Sequence, residues 1–283
     1  MKIIKKAIKI IGIVLLLAAI AAGSFFMIYA RPFMQQMKET HITQYDKDLT
    51  IVLGGGGNSG ILSSDSLVLV IDTKMDEAAE AFYAQVKKIA GDKPIWVINT
   101  HYHPDHTKGN KYYEKATILA GANYSKEFWI KEAGAESLPT KWVQDSLTLK
   151  MGDETVTIVN LAKNIHTQSD IVVYLHKRKM LFAGDIILNR AAPFILGFAD
   201  PEGYLTALDA FPKQFDIQTV VPGHGELGGI ELISNFKQYF NDMKVAAQDD
   251  TQKEKLMAKY KDWKQIPIFM SPNATVNAFK KAK

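Results

Sequence analysis

Between residues 101 and 106 the chain reads His-Tyr-His-Pro-Asp-His, which places four side chains able to bind a metal ion within six positions. On an extended segment, residues two apart point to the same side. His101 and His103 therefore face one way, and Pro104 turns the chain before Asp105 and His106. This arrangement suits two ligand pairs facing two neighbouring metal ions. Three later segments each leave one ligand-type side chain at the end of an apolar run: Asn164-Ile165-His166-Thr167, Phe182-Ala183-Gly184-Asp185 and Val221-Pro222-Gly223-His224-Gly225. The glycines at 184, 223 and 225 let backbone approach a compact centre closely. The chain has no cysteine, so disulfides, thiolate ligands and a cysteine nucleophile are excluded. Imidazole and carboxylate donors suit zinc. The chemistry that follows is hydrolysis by a metal-activated water, and no Gly-x-Ser-x-Gly elbow offers a serine alternative. Of the seven histidines, His41 and His176 fall outside this constellation, one in a polar connector and one at a charged hairpin tip.

The elements needed to position these residues can be read from hydrophobic patterning. Residues 93–100 read as a buried strand ending in the 101–106 cluster. Residues 66–73 form a continuous apolar run closed by Asp72 and Thr73, as expected of a strand buried on both faces. Between them, Ala79, Phe82, Val86 and Ile89 have helical spacing over 76–90. Upstream, 49–53 is strand-like and 54–57 is four consecutive glycines. A phosphate-loop reading fails there, because no Gly-Lys-Ser/Thr follows and a strand comes next. The tip is expected to be a flexible hairpin turn beside the substrate cleft. Downstream, strands are expected at 117–120, 147–149, 156–159, 171–175, 179–182 and 217–221. Helices are expected at 124–133, 201–215 and 229–247, an irregular loop at 189–200, and a partly helical tail to 283. Strands alternating with helices imply sheets covered by helices. The pattern alone leaves a doubly wound sheet and a four-layer sandwich both open.

The net charge of +4 belongs to the N-terminus. Residues 1–31 carry Lys2, Lys5, Lys6, Lys9 and Arg31 and no acid, and without those five, 29 basic side chains face 30 acidic ones. The body therefore has no bulk signature for nucleic acid. Residues 10–30 are 21 positions without a charge, close to the ~20 needed to cross a bilayer as a helix. The lysines before this run favour a cytoplasmic N-terminus. Its length favours an anchor over a signal peptide cut near Ala19-Ile20-Ala21. Residues 1–31 are thus expected to be a membrane anchor or signal, with 32–283 a single extracytoplasmic domain, periplasmic or at the cell surface, and secreted if the segment is cleaved. A polar connector is expected over 31–48.

Taken together, the His-x-His-x-Asp-His motif and the ordered His-Thr, Gly-Asp and Gly-His segments resemble the metallo-β-lactamase superfamily over about residues 48–250, with a helical tail beyond. The resemblance implies an αββα sandwich and two Zn²⁺ ions, with iron or manganese as other divalent occupants. By it, His101, His103 and His166 would hold the first metal, Asp105, His106 and His224 the second, and Asp185 would bridge them. Asp105 would also orient the nucleophile, and Asp72 would support the site without ligating. The bridging Asp resembles the glyoxalase II, lactonase and phosphodiesterase branches, because β-lactamases commonly carry Cys or Ser there. Leu188 stands where lactonases often have Tyr, and Ile165 where the family often has Gly. Tyr102, Arg190 and Phe194 are the candidate contacts to a small-molecule substrate. The resulting expectation is a membrane-anchored dinuclear zinc hydrolase acting on a small ester, thioester, lactone or amide. The alternatives are a β-lactam hydrolase, a one-iron oxidoreductase resembling persulfide dioxygenases, and a non-catalytic binding module.

Overall fold

The computed structural model describes residues 2–31, 38–161, 164–195, 199–266 and 269–282. Parts of two expected irregular stretches, 32–37 of the connector and 196–198 of the 189–200 loop, lie outside the described residues. The N-terminal helix α1 (Lys2–Phe25) runs on through a π-helical turn to Ala30. Within it Lys9–Ile28, 20 residues of mean hydropathy 2.6, is long and apolar enough to cross a membrane. None of that stretch is buried against the body, so it is not a core helix.

Two mixed sheets form the body. The first contains β1 (Thr40–Gln44), β2 (Leu49–Gly54), β3 (Ser59–Ser63), β4 (Val68–Ile71), β5 (Ile95–Ile98), β6 (Thr117–Gly121) and β7 (Lys141–Val143) in sequence order. Its strands are antiparallel from β1 to β4 and parallel from β4 to β7. In the second sheet β8 (Ser146–Met151), β9 (Glu154–Asn160), β10 (Ile171–Leu175) and β11 (Met180–Phe182) are antiparallel, and β12 (Thr219–Val221) joins β11 in parallel.

Alternation along the strands builds the layers. In β4, Leu69 and Ile71 enter the cluster between the sheets, whereas Val68 and Val70 pack outward with Phe82 and Val86 of helix α2 (Asp76–Ala90). In β10, Ile171, Val173 and Leu175 face the other sheet. Val172 and Tyr174 face outward into a cluster with α5 (Pro201–Gln214) and α6 (Glu231–Gln248). The result is the αββα sandwich implied by the resemblance. Between these helices the chain also forms α3 (Pro104–Thr107) and α4 (Lys126–Ala133). After α6 the tail adds α7 (Asp250–Ala258) and α8 (Pro272–Lys281).

Two strands depart from expectation. β1 lies in the stretch read as connector, and every one of its residues is exposed. It is held by backbone pairing to β2, with Ile42 opposite Val52, so burial leaves no pattern in its side chains. β7 is only three residues long and pairs with the end of β6.

The register brings one set of strand ends together. Ile71 pairs with Ile98, and Phe182 with Val221, both in parallel. The segments leaving β4, β5, β11 and β12 therefore emerge at one edge, and Ile171 N–H donates to Thr100 O at 2.7 Å to join the sheets there. Phe182 is buried in the cluster between the sheets, directly before this edge. Phe182→Ala is expected to destabilise the fold by about 3–5 kcal/mol, seen as a lower denaturant midpoint with an unchanged slope.

Candidate metal centre

Each functional side chain follows the end of a strand or stands on a short turn. His101 and His103 lie beyond β5, and α3, with Pro104 at its first turn, carries Asp105 and His106. His166 precedes β10, Asp185 lies on a 3₁₀ turn after β11, and His224 follows β12. The structure gathers all seven. The ligand atoms of His101, His103, His166 and Asp185 fall within 4.8 Å of one another, as do those of Asp105, His106 and His224. Asp185 stands between the two groups. Its Oδ2 is 3.5 Å from His166 Nε2, and its Oδ1 is 3.3 Å from His106 Nε2 and 3.5 Å from His224 Nε2. Asp105 Oδ2 lies 3.2 Å from His224 Nε2.

His103 Nδ1 lies 3.0 Å from both His101 Nε2 and His166 Nε2, so these three ring nitrogens turn toward one point. His106 Nε2 and Asp185 Oδ1 are buried side-chain atoms with no aligned hydrogen-bond partner. Leaving such atoms unpaired costs about 1–3 kcal/mol each, which a cation between them offsets. An all nitrogen and oxygen donor set fits zinc.

Groups behind the donors fix their orientation. Asp72 Oδ2 accepts from His106 Nδ1 at 2.7 Å, which leaves His106 Nε2 facing the centre. Asp72 is held in turn by the Thr100 N–H and hydroxyl, both at 2.8 Å. The Tyr204 hydroxyl donates to Asp185 O at 3.4 Å and lies 2.9 Å from His166 Nδ1. Its oxygen can therefore accept from Nδ1, and His166 Nε2 points at the centre. Asp170 accepts the N–H groups of His166 and Thr167, each at 3.0 Å, and the Thr167 hydroxyl at 2.7 Å. Such partners set ligand direction and basicity. Tyr204 and Asp170 carry no motif of their own, and only the fold brings them here.

The glycine tip corrects an expectation. It is not a flexible turn, because residues 55–57 are buried. Gly57 N–H donates to Asp105 O at 3.0 Å, and Asn58 N–H to Gly223 O at 2.7 Å. The Asn58 side-chain amide donates to Pro222 O and Gly225 O at 2.9 and 2.8 Å. The buried ammonium of Lys74 donates to Val52 O at 2.7 Å and Gly57 O at 2.6 Å. A Cβ on Gly57 would sit 2.2 Å from the His106 ring, and one on Gly223 would sit 2.0 Å from Asp185 Oδ1. Glycine is needed here for close packing, and the tip clamps the segments bearing His106 and His224.

Electrostatics divides the donors. Burial, reinforced by neighbouring imidazoles, holds His101 well below its ordinary value. Burial also lowers His103, and brings His166 down to about 3. Burial thus disfavours the charged form of all three rings. Burial acts against the charged forms of His106 and His224 too, but the carboxylates around them win. His106 is raised well above its ordinary value by Asp105, Asp72 and Asp185, and His224 rises to about 9 through Asp185 and Asp105. Burial works to raise Asp105 and Asp185, but His106 and His224 outweigh it and hold both acids ionised. Burial lowers Lys74 to about 7, against the pull of Asp72 and Asp105.

A cleft of about 830 Å³ opens over His103, Asp105, Asp185 and His224. Phe194 lines it, with its ring 6.0 Å from that of His103. Tyr102 is half-buried against His103, Tyr124 and Phe128 and is not among the described lining residues. Arg190 is exposed and outside the lining, while Lys264, absent from the sequence reading, is a cation in the wall. His41 also lines the cleft, from β1, and His176 sits on an exposed hairpin with its Nε2 2.8 Å from Thr157 Oγ1.

The family model described as Metallo-beta-lactamase superfamily matches residues 52–224. The acyl-coenzyme A thioesterase MBLAC2 of Gallus gallus is 22% identical over 178 residues, covering 52% of this chain and 64% of that protein. This chain thus spans just under two thirds of that relative's length. The metallo-β-lactamase type 2 of Bacteroides fragilis is 29% identical over 188 residues, covering 65% of this chain and 75% of that one. Among solved structures, a metallo-β-lactamase from Pontibacter korlensis superposes with a TM-score of 0.61 at 20% identity, covering 72% of this chain and 99% of that one. The sec-alkylsulfatase Pisa1 from Pseudomonas sp. superposes with a TM-score of 0.66 at 15% identity, covering 86% and 50%. At these identities the structures show a shared fold only.

The packing of the tip against His106 is directly testable. Gly57→Ala must displace the His106 ring, and is expected to weaken metal retention by about 10–100-fold, the range typical of losing a partner that orients a ligand. Competition with a chelator measures this.

Proposed function

Because this chain belongs to the metallo-β-lactamase superfamily and is a metal-dependent hydrolase, we propose that it is a membrane-anchored, extracytoplasmic dinuclear zinc enzyme cleaving a small ester, thioester, lactone or amide. The observation that carries the dinuclear reading is Asp185, whose two oxygens face two separate groups of donors. In this reading His101, His103 and His166 hold one zinc, Asp105, His106 and His224 hold the other, and Asp185 spans them. When bound, the two ions polarise the electrophile and lower the pKa of water towards about 7.

The chain's own residues supply the rest. Asp105 lies at the floor of the cleft and orients the attacking water by accepting its hydrogen bond. Asp72 and Tyr204 keep the imidazoles of His106 and His166 aimed inward, so that little reorganisation is needed during reaction. Phe194 covers the centre from one side and limits access of bulk water. The exposed apolar helix supports anchoring, and the lysines before it support a cytoplasmic N-terminus.

A β-lactam hydrolase is the second reading, favoured by the β-lactamase relatives at 29% identity. Asp185 stands against it, because the resemblance places Cys or Ser there in β-lactamases. Assays of the full-length chain in detergent against a β-lactam, a lactone, a thioester and a phosphodiester, with elemental analysis, separate the readings. The expected result is about two zinc ions per chain with cleavage of the lactone or thioester. One bound iron with oxygen uptake would reject the proposal. Asp185→Asn is expected to release one zinc more readily than the other in chelator titration, and unchanged stoichiometry and rate would remove Asp185 from the bridging role.

A further inference from the structure

The superfamily match ends at residue 224, yet the cleft continues past it. Lys264, Ile266 and Met270 line the same cavity as Asp105 and His224. The tail is stitched to the loop that carries Phe194. Lys264 N–H donates to Arg190 O at 2.8 Å, and Ala192 N–H to Lys264 O at 2.9 Å, a short parallel bridge beyond either sheet. Ile266 and Met270 exchange backbone hydrogen bonds at 2.8 and 2.9 Å, an isolated antiparallel bridge. Just before it, Trp263 stacks on Tyr239 with ring centroids 5.0 Å apart, which ties this part of the tail to the buried face of α6. Leu188 and Phe194 continue the surface towards the metal ligands, and Leu53 and Met75 also line the cavity. The lining is therefore largely apolar beyond the ligands. Lys264 is exposed, has no ion-pair partner among the described residues, and is the one Lys or Arg among the described lining residues.

We propose that the tail residues Lys264, Ile266 and Met270 form the specificity wall of this enzyme, and that they select an ester or thioester of an apolar acyl chain carrying a single anionic group. This rests on the hydrolase reading above and deepens it. The acyl chain lies along Phe194, Ile266 and Met270, removing apolar surface from water. The ammonium of Lys264 meets the anionic group. Glu39 and Glu226, which also line the cleft, oppose a polyanion.

The test uses the zinc-loaded full-length chain in one detergent, so that partitioning of the probes cancels between variants. Nitrophenyl acetate, nitrophenyl octanoate and the mono-nitrophenyl ester of suberic acid are compared by kcat/KM. The double variant Ile266→Ser with Met270→Ser is expected to lower the octanoate-to-acetate ratio by about tenfold or more, the order expected from loss of several methylene contacts. Lys264→Gln is expected to leave that ratio unchanged and to lower the suberate-to-octanoate ratio. A general folding defect lowers all three rates alike and leaves both ratios intact, so an unchanged octanoate-to-acetate ratio in the double variant overturns the wall. An unchanged suberate-to-octanoate ratio in Lys264→Gln overturns the anionic group. If the wild-type chain cleaves none of the esters, the ester and thioester reading fails on its own terms. Calorimetric binding of octanoate against acetate then decides the wall, because both share the same carboxylate and differ only in chain. Tighter octanoate binding that the double variant abolishes supports the wall, and equal affinities overturn it.

Discussion

Gathering five imidazoles and two carboxylates at one point carries a large desolvation cost. Much of this structure is arranged around that constraint. Burial disfavours the charged forms of the first three imidazoles, and the carboxylates around the other two favour theirs. Because imidazole binds a metal through a lone pair that a proton would otherwise occupy, metal affinity and protonation are linked.

Convergent donors repel or twist away from one another unless something holds them. Here the frame is made of elements distant in sequence. Asp72 comes from the end of β4, Tyr204 from α5, and the glycine tip from the β2–β3 hairpin. The tip carries no side chain that could ligate, yet it touches both the His106 segment and the His224 segment. Lys74 secures it from below by giving two N–H bonds to carbonyl oxygens that burial would otherwise leave without water. A buried ammonium is unusual, and its position against the tip accounts for its presence.

The floor and the walls of the cleft have different origins. The candidate ligands all lie inside the stretch matched by the superfamily, and the frame that orients them lies there too. Part of the wall does not: His41 comes from an edge strand before it, and Lys264, Ile266 and Met270 come from the tail after it. A shared centre with separately supplied walls is how one fold serves many substrates.

The metal-binding chemistry was legible in one dimension because ligands must be particular residue types at strand ends, and those types are rare and closely spaced in this chain. The buried strands were legible for a similar reason. Val68 to Ile71 and Ile171 to Leu175 are apolar on both faces, and burial on both faces requires that. β1 was not legible, since an exposed edge strand is held by its backbone and leaves no mark on its side chains. Nor was the role of the four glycines, whose letters are the same in a loose turn and in a clamp. Whether the missing side chains serve freedom or contact depends on what packs against them, and only the meeting of Gly57 with His106 decided it. Arg190 and Lys264 differ in the same way. Both are exposed basic residues, and the backbone bridge between their segments leaves one outside the cleft and sets the other in its wall.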